Sequence, residues 1–172
     1  FGRTVDADAA ANDRTLTVNA TGLTTFAGAV GNNEALLGLT TDAPGETDLK
    51  GSPINAPTVD FSDAVVLTTD VTINATTASF HQTVNADSAA RKRKLTVNAS
   101  GLTRFAGAVG NSEALLSLIT DAQGTTDLGG SPIHASTVDF ADAVVLTADV
   151  TVDAMTVTFR QTIDADLAAN RR

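Results

Sequence analysis

All seven phenylalanines of the chain open the same five-residue phrase: Phe1-Gly-Arg-Thr-Val5, Phe26-Ala-Gly-Ala-Val30, Phe61-Ser-Asp-Ala-Val65, Phe80-His-Gln-Thr-Val84, Phe105-Ala-Gly-Ala-Val109, Phe140-Ala-Asp-Ala-Val144 and Phe159-Arg-Gln-Thr-Ile163. Their spacings run 25, 35, 19 and then 25, 35, 19 again, so the true repeat runs from Phe1 to Phe80 and from Phe80 to Phe159. Segments 1–79 and 80–158 agree at about 55 positions, and 159–172 repeat the opening phrase. A repeat this regular means a unit that covers its apolar face by stacking on its neighbour. The three segments are read as one continuous array. The chain starts and stops in mid-phrase without an initiator Met, which suggests a slice of a longer array or a protomer continued by another.

A shorter phrase recurs inside each repeat. Leu16-Thr-Val-Asn-Ala20, Leu39-Thr-Thr-Asp-Ala43 and Val71-Thr-Ile-Asn-Ala75 are answered one repeat later by Leu95-Thr-Val-Asn-Ala99, Leu118-Ile-Thr-Asp-Ala122 and Val150-Thr-Val-Asp-Ala154. The resulting units, whose lengths are 23, 32 and 24, alternate Leu, Val or Ile with Thr, Asn or Asp, the period of a half-buried strand. The surplus of the middle unit lies in Glu46 to Asn55. Only Asn33–Leu37, Ser112–Leu116, Asp6–Ala11 and Asp87–Ala90 look helical, and each has room for one or two turns.

These patterns predict an all-β fold, a right-handed parallel β-helix (β-solenoid) with about three coils per 79-residue repeat. Equivalent strands about 4.8 Å apart would advance about 14 Å per repeat and set Phe1, Phe26, Phe61, Phe80, Phe105, Phe140 and Phe159 over one another as a core ladder. Strict alternation from Phe to Val would bury Gly28, Asp63 and Gln82, so the phrase is read as turning a corner, with Phe ending one strand and Val opening the next. The competing fold is a tandem of immunoglobulin-like sandwiches, for which one repeat is a suitable size. Such domains advertise a core Trp or a tyrosine corner, and this chain has neither Trp nor Tyr.

Composition limits function. A net charge of −9 and a pI near 4.4 leave no basic footprint for nucleic acid or an anionic membrane. The absence of cysteine removes thiol chemistry and thiolate metal sites. No stretch reaches the apolar length of a membrane span, so no membrane insertion is expected in this segment. His81 and His134 stand opposite Gly2 and Asn55 of the first copy, so neither belongs to a repeated constellation, and no catalytic residue is assigned.

The run Leu95-Thr-Val-Asn-Ala-Ser-Gly-Leu-Thr-Arg-Phe-Ala-Gly-Ala-Val-Gly110, with Glu113-Ala-Leu-Leu-Ser-Leu-Ile-Thr-Asp-Ala122, resembles the β-strand repeats of giant bacterial surface proteins, the filamentous-haemagglutinin-like and autotransporter-like adhesins. The resemblance covers essentially the whole chain. It implies an extracellular or bacterial cell-surface location and a structural role as part of a fibre, stalk or adhesin shaft, with further copies of the repeat or protomer as end-to-end partners.

Asp60 with Asp63, and Asp139 with Asp142, recur as carboxylate pairs and are calcium candidates, set against solvated turn residues. The alternative function is accordingly a calcium- or carbohydrate-dependent adhesion surface; no other cofactor is expected. Asn19, Asn74 and Asn98 each begin a glycosylation sequon, yet each also sits at the strand-end phrase, where stacked amides would form a ladder. The basic run Arg91 to Lys94 reads as a solvated loop paired with acidic neighbours.

Overall fold

The computed structural model describes residues 1–9, 11 and 13–166. Among these there is no helix; the chain winds as a right-handed parallel β-solenoid of about eight turns. Every pair of named strands is parallel, and the one antiparallel contact among the described residues is an isolated bridge between Ser88 and Arg91. Parallel pairing throughout excludes the tandem sandwiches, whose strands would run antiparallel.

Three faces make the cross-section. The first carries eight strands, from Thr15–Val18 to Ile163–Ala165, stacked in register as Leu16, Leu39, Val59, Ala78, Thr103, Thr126, Val144 and Ile163. The second stacks Thr24, Thr47, Val65, Val84, Val109, Ile133 and Val152. The third stacks Val5, Val30, Ile54, Ile73, Val97, Thr120, Phe140 and Phe159. The strands Ile133–Phe140 and Val152–Phe159 bend round the corner between the second and third faces without a break.

This register refines the expected turn count. Residues 15–18 lie on the first face, whereas their equivalents 94–97 lie on the third. Residues 23–26 lie on the second face and 102–105 on the first; Val30 is on the third and Val109 on the second. Each repeat therefore crosses eleven faces, three and two-thirds turns, and climbs about 18 Å. The extra two-thirds comes from the 32-residue middle unit. Its surplus is not a loop: Glu46–Leu49 and Ile54–Asn55 are strands of the second and third faces.

The phenylalanines consequently form three short ladders in place of the single expected column. Phe61, Phe80 and Phe105 stack at the end of the first face, with Phe80 and Phe105 5.1 Å apart and nearly coplanar. Phe26 pairs with Phe1 by the second face, and Phe140 with Phe159 on the third. The corner reading of the phrase holds, but its premise does so only in part: Gln82 is exposed and Gly28 half-buried, whereas Asp63 is buried at the corner. Phe61 ends one strand and Val65 lies in the next, Phe80 ends a strand that Val84 follows, and Phe159 precedes Ile163 in the same way.

Leu, Val, Ile and Phe from all three faces meet in one continuous core, where Phe26, Phe61, Phe80, Phe105 and Phe140 are at most 1 % exposed. Each such ring contributes roughly 1.5–3 kcal/mol of apolar transfer. Phe1 is half exposed, so it caps its stack and is not core. The helix-like stretches fold otherwise. Leu115 and Leu116 belong to strand Leu115–Thr120, Asn33–Leu37 is a series of bends, and Asp87–Ala90 is a turn. Of Asp6–Ala11, residue 10 lies outside the described residues.

Candidate functional site: a corner trough beside an amide ladder

Four copies of the sequence phrase Asx-Ala-X fall where the third face turns into the first. Asn55-Ala-Pro57, Asn74-Ala-Thr76, Asn98-Ala-Ser100 and Asp121-Ala-Gln123 stack there on successive turns. In the lower three rungs alternation aims the middle alanine inward, with Ala56 and Ala99 buried and Ala75 half-buried, whereas Ala122 of the top rung is exposed. The residues on either side point out, leaving a trough of about 370 Å³ whose walls include Asn55, Asn74 and Asn98 on one side and Pro57, Thr76, Ser100 and Gln123 on the other. Four rungs span about 14 Å along the axis.

One wall is a ladder. The Asn98 Nδ2 amide donates to Asn74 Oδ1 at 2.8 Å, Asn74 Nδ2 donates to Asn55 Oδ1 at 2.7 Å, and Asn55 Nδ2 donates to the Gly31 carbonyl at 2.9 Å. Amide-to-amide chains of this kind polarise each link in turn. At the upper end Asp121 Oδ1 accepts the backbone N–H of Ala99. Gly31 makes the lower end possible. Its φ of +66° is left-handed, and a Cβ there would land on the Asn55 carbonyl oxygen. Asn19 stands at a different corner, between the first and second faces, and is not in this ladder.

The four calcium candidates separate into two kinds. Asp63 and Asp142 point inward and are 1 % exposed. Asp63 accepts the hydroxyls of Thr41 at 2.6 Å and Thr47 at 2.8 Å, and Asp142 those of Thr120 and Thr126 at the same distances. Asp60 and Asp139 face outward. Asp60 lies 2.7 Å from His81 Nε2, and Asp139 receives both arms of Arg160, at 2.8 and 2.6 Å. The spacing of three thus puts the members of each pair on opposite sides of the wall. Among the described residues no three carboxylates or histidines converge as a metal cage.

Other charges close loops. Arg93 forks onto Asp87 at 2.8 and 3.0 Å, and Arg14 onto Asp8 at 2.9 and 3.2 Å, the same clip one repeat earlier. The hydrogen bond from Arg93, partly opposed by desolvation, holds the Asp87 carboxyl below its ordinary 3.8; Arg160 does the same to Asp139. The backbone N–H of Asn33 lowers Asp6. Of the basic run, Arg93 is paired as expected, while Lys92 donates to Ser136 Oγ. His81 is exposed and His134 half-buried, one beside a carboxylate and the other on a strand.

Sequence reasoning found the amide stacking at Asn74 and Asn98. It missed Asn55, which lacks a sequon, and the hollow itself, because which phrases share a corner depends on the turn count. Comparison of the chain with known protein families, curated proteins and solved structures gave no match.

Proposed function

We propose that the chain is a structural module of an extracellular or cell-surface fibre, stalk or adhesin shaft. One observation carries this reading: one apolar core runs through about eight turns beneath three parallel ladders, the second and third of which are continued at Val109 and Val30, respectively, by single bridges. Load along the axis is then shared by every backbone hydrogen bond of a turn and by the stacked side chains beneath it. The unit needs only more of itself to lengthen, since any coil offers the next the same three-sided edge. End-to-end pairing with further copies belongs to the same reading. The outermost turns present strands Thr15–Val18 and Val152–Phe159, with Met155 89 % exposed, and open edges of this kind accept another strand. A head-to-tail contact extends without closing.

The test is a length series. Chains with one, two and three additional 79-residue copies, measured by small-angle scattering, should lengthen by about 18 Å per copy at constant cross-section. Particles that broaden, or that lengthen as beads on a flexible string, would refute the shaft. For the end contacts, sedimentation should show concentration-dependent growth in mass that ends when Met155 and Val157 are changed to Lys; a monomer at all concentrations refutes that part.

A further inference from the structure

The trough described above is written twice. Shifting its wall and floor by one repeat gives Ala114, His134, Ala135, Ser136, Asp153, Ala154 and Met155, and these seven, with Lys92, line a second hollow of about 370 Å³. The two-thirds turn places it at the corner between the second and third faces. The positions shared by both hollows divide sharply. The small residues are kept: Ala35 and Ala114, Ala56 and Ala135, Ala75 and Ala154. The four wall positions all differ, as Asn55 and His134, Pro57 and Ser136, Asn74 and Asp153, Thr76 and Met155. Over the whole repeat 24 of 79 positions differ, so change in the walls exceeds the background while the floor is held. A constant shape with altered contact groups is how a recognition surface varies its specificity.

The first trough shows what it would recognise. A carboxamide carries two N–H donors and two acceptor lone pairs. In the ladder Asn74 uses one donor and one acceptor, leaving one of each unused on a side chain that is exposed. That remaining pair matches a sugar hydroxyl, which both donates and accepts. Thr76, Ser100 and Gln123 supply the same mixed capacity on the opposite wall. Among the described residues no Lys or Arg lines the trough, and the one charged group there is Asp121, so an anionic chain is disfavoured. A peptide added as a strand would need an open backbone edge, and these walls are side chains, without the apolar or aromatic lining that a helical or proline-rich peptide uses.

We propose that the trough between Asn55, Asn74, Asn98 and Thr76, Ser100, Gln123 binds an extended neutral oligosaccharide lying along the solenoid axis. This goes beyond the shaft reading and does not depend on it. The chain has no Trp or Tyr to stack on a sugar ring, so a single trough should bind with a Kd on the order of 1 mM.

The test is a side-chain amide NMR titration of the full chain with neutral hexasaccharides of glucose, galactose, mannose and N-acetylglucosamine, and a uronate hexamer as comparator. At least one neutral hexamer should give saturable shifts of the Asn74 and Asn98 Nδ2 signals. Asn74→Asp and Thr76→Met install the residues of the second copy, at positions where the fold carries them already, and should each weaken binding at least fivefold. No saturable shift with any neutral hexamer overturns the proposal. So do shifts unchanged in both variants, or tighter binding of the uronate.

Discussion

Asp63→Ala is the most informative single change. The Asp63 carboxylate is buried with no cation paired to it among the described residues, and is held by two hydroxyls that are themselves sealed, Thr41 at 1 % and Thr47 at 0 % exposure. Truncation leaves both hydroxyls facing an apolar hole, and a buried polar group left without a partner costs about 1–3 kcal/mol. Removing the carboxylate also removes the cost of burying it, so the net loss should be about 3 kcal/mol. Changing all three residues together, Thr41→Val, Thr47→Val and Asp63→Ala, leaves no orphaned group and should return stability to within about 1 kcal/mol of the parent. A solenoid need not unfold in one step, so the assay is native-state hydrogen exchange at the Thr47 and Val65 amides, supported by guanidinium unfolding at pH 7. The molecule carries its own replicate. Asp142 holds Thr120 and Thr126 with the same distances at another corner, and Asp142→Ala should match Asp63→Ala to within about 0.5 kcal/mol. A loss below about 1 kcal/mol for Asp63→Ala, or a triple variant as unstable as the single one, refutes this account.

Phe80→Ala removes the middle ring of a three-ring stack and should cost about 3–5 kcal/mol in chemical denaturation, whereas Phe1→Ala, at a half-exposed cap, should cost less than about 1 kcal/mol. Gly110→Ala sets a Cβ on the His134 carbonyl oxygen at a φ of +70° and should lower stability by more than about 2 kcal/mol, with Gly31→Ala behaving alike. The carboxyls of Asp87 and Asp139 are depressed below 3.8 by their arginines, so the stability they contribute is complete above that value and is lost as the pH falls through the lower folded values. Thermal unfolding across pH 2–5 should therefore show a drop that Arg93→Gln and Arg160→Gln each make shallower. EDTA and added Ca²⁺ should leave the melting temperature unchanged, because the acidic pairs do not converge; a shift of several degrees would reopen the calcium reading.

Much of the architecture could be read before any coordinates. Thr-rich alternation ending in Asn-Ala or Asp-Ala marks strands that end at corners, and the phrase from Phe61 to Val65 is a corner as expected, although for a different reason: Asp63 still points inward and is tolerated there because Thr41 and Thr47 donate to it. What stayed hidden is phase. The phrases at Leu16, Leu39 and Val71 look alike, yet the first two lie on one face and the third on another, since all three faces make the same demand of an apolar residue pointing inward. Interchangeable faces erase from the sequence the distinction that tells three turns from three and two-thirds. The trough was invisible for the same reason, being made of Asn55, Asn74 and Asn98, whose separations of 19 and 24 match no single period.

The mismatch between repeat and turn has a geometric consequence. A residue fixed in the repeating unit is carried two-thirds of the way round the axis with each copy, so three copies point it in three directions before it comes back into line after eleven turns. A corner hollow is thereby distributed as a spiral staircase and never as a stripe. A rod extended this way would have no front and no back, and would meet neighbours on every side with one shape at different heights.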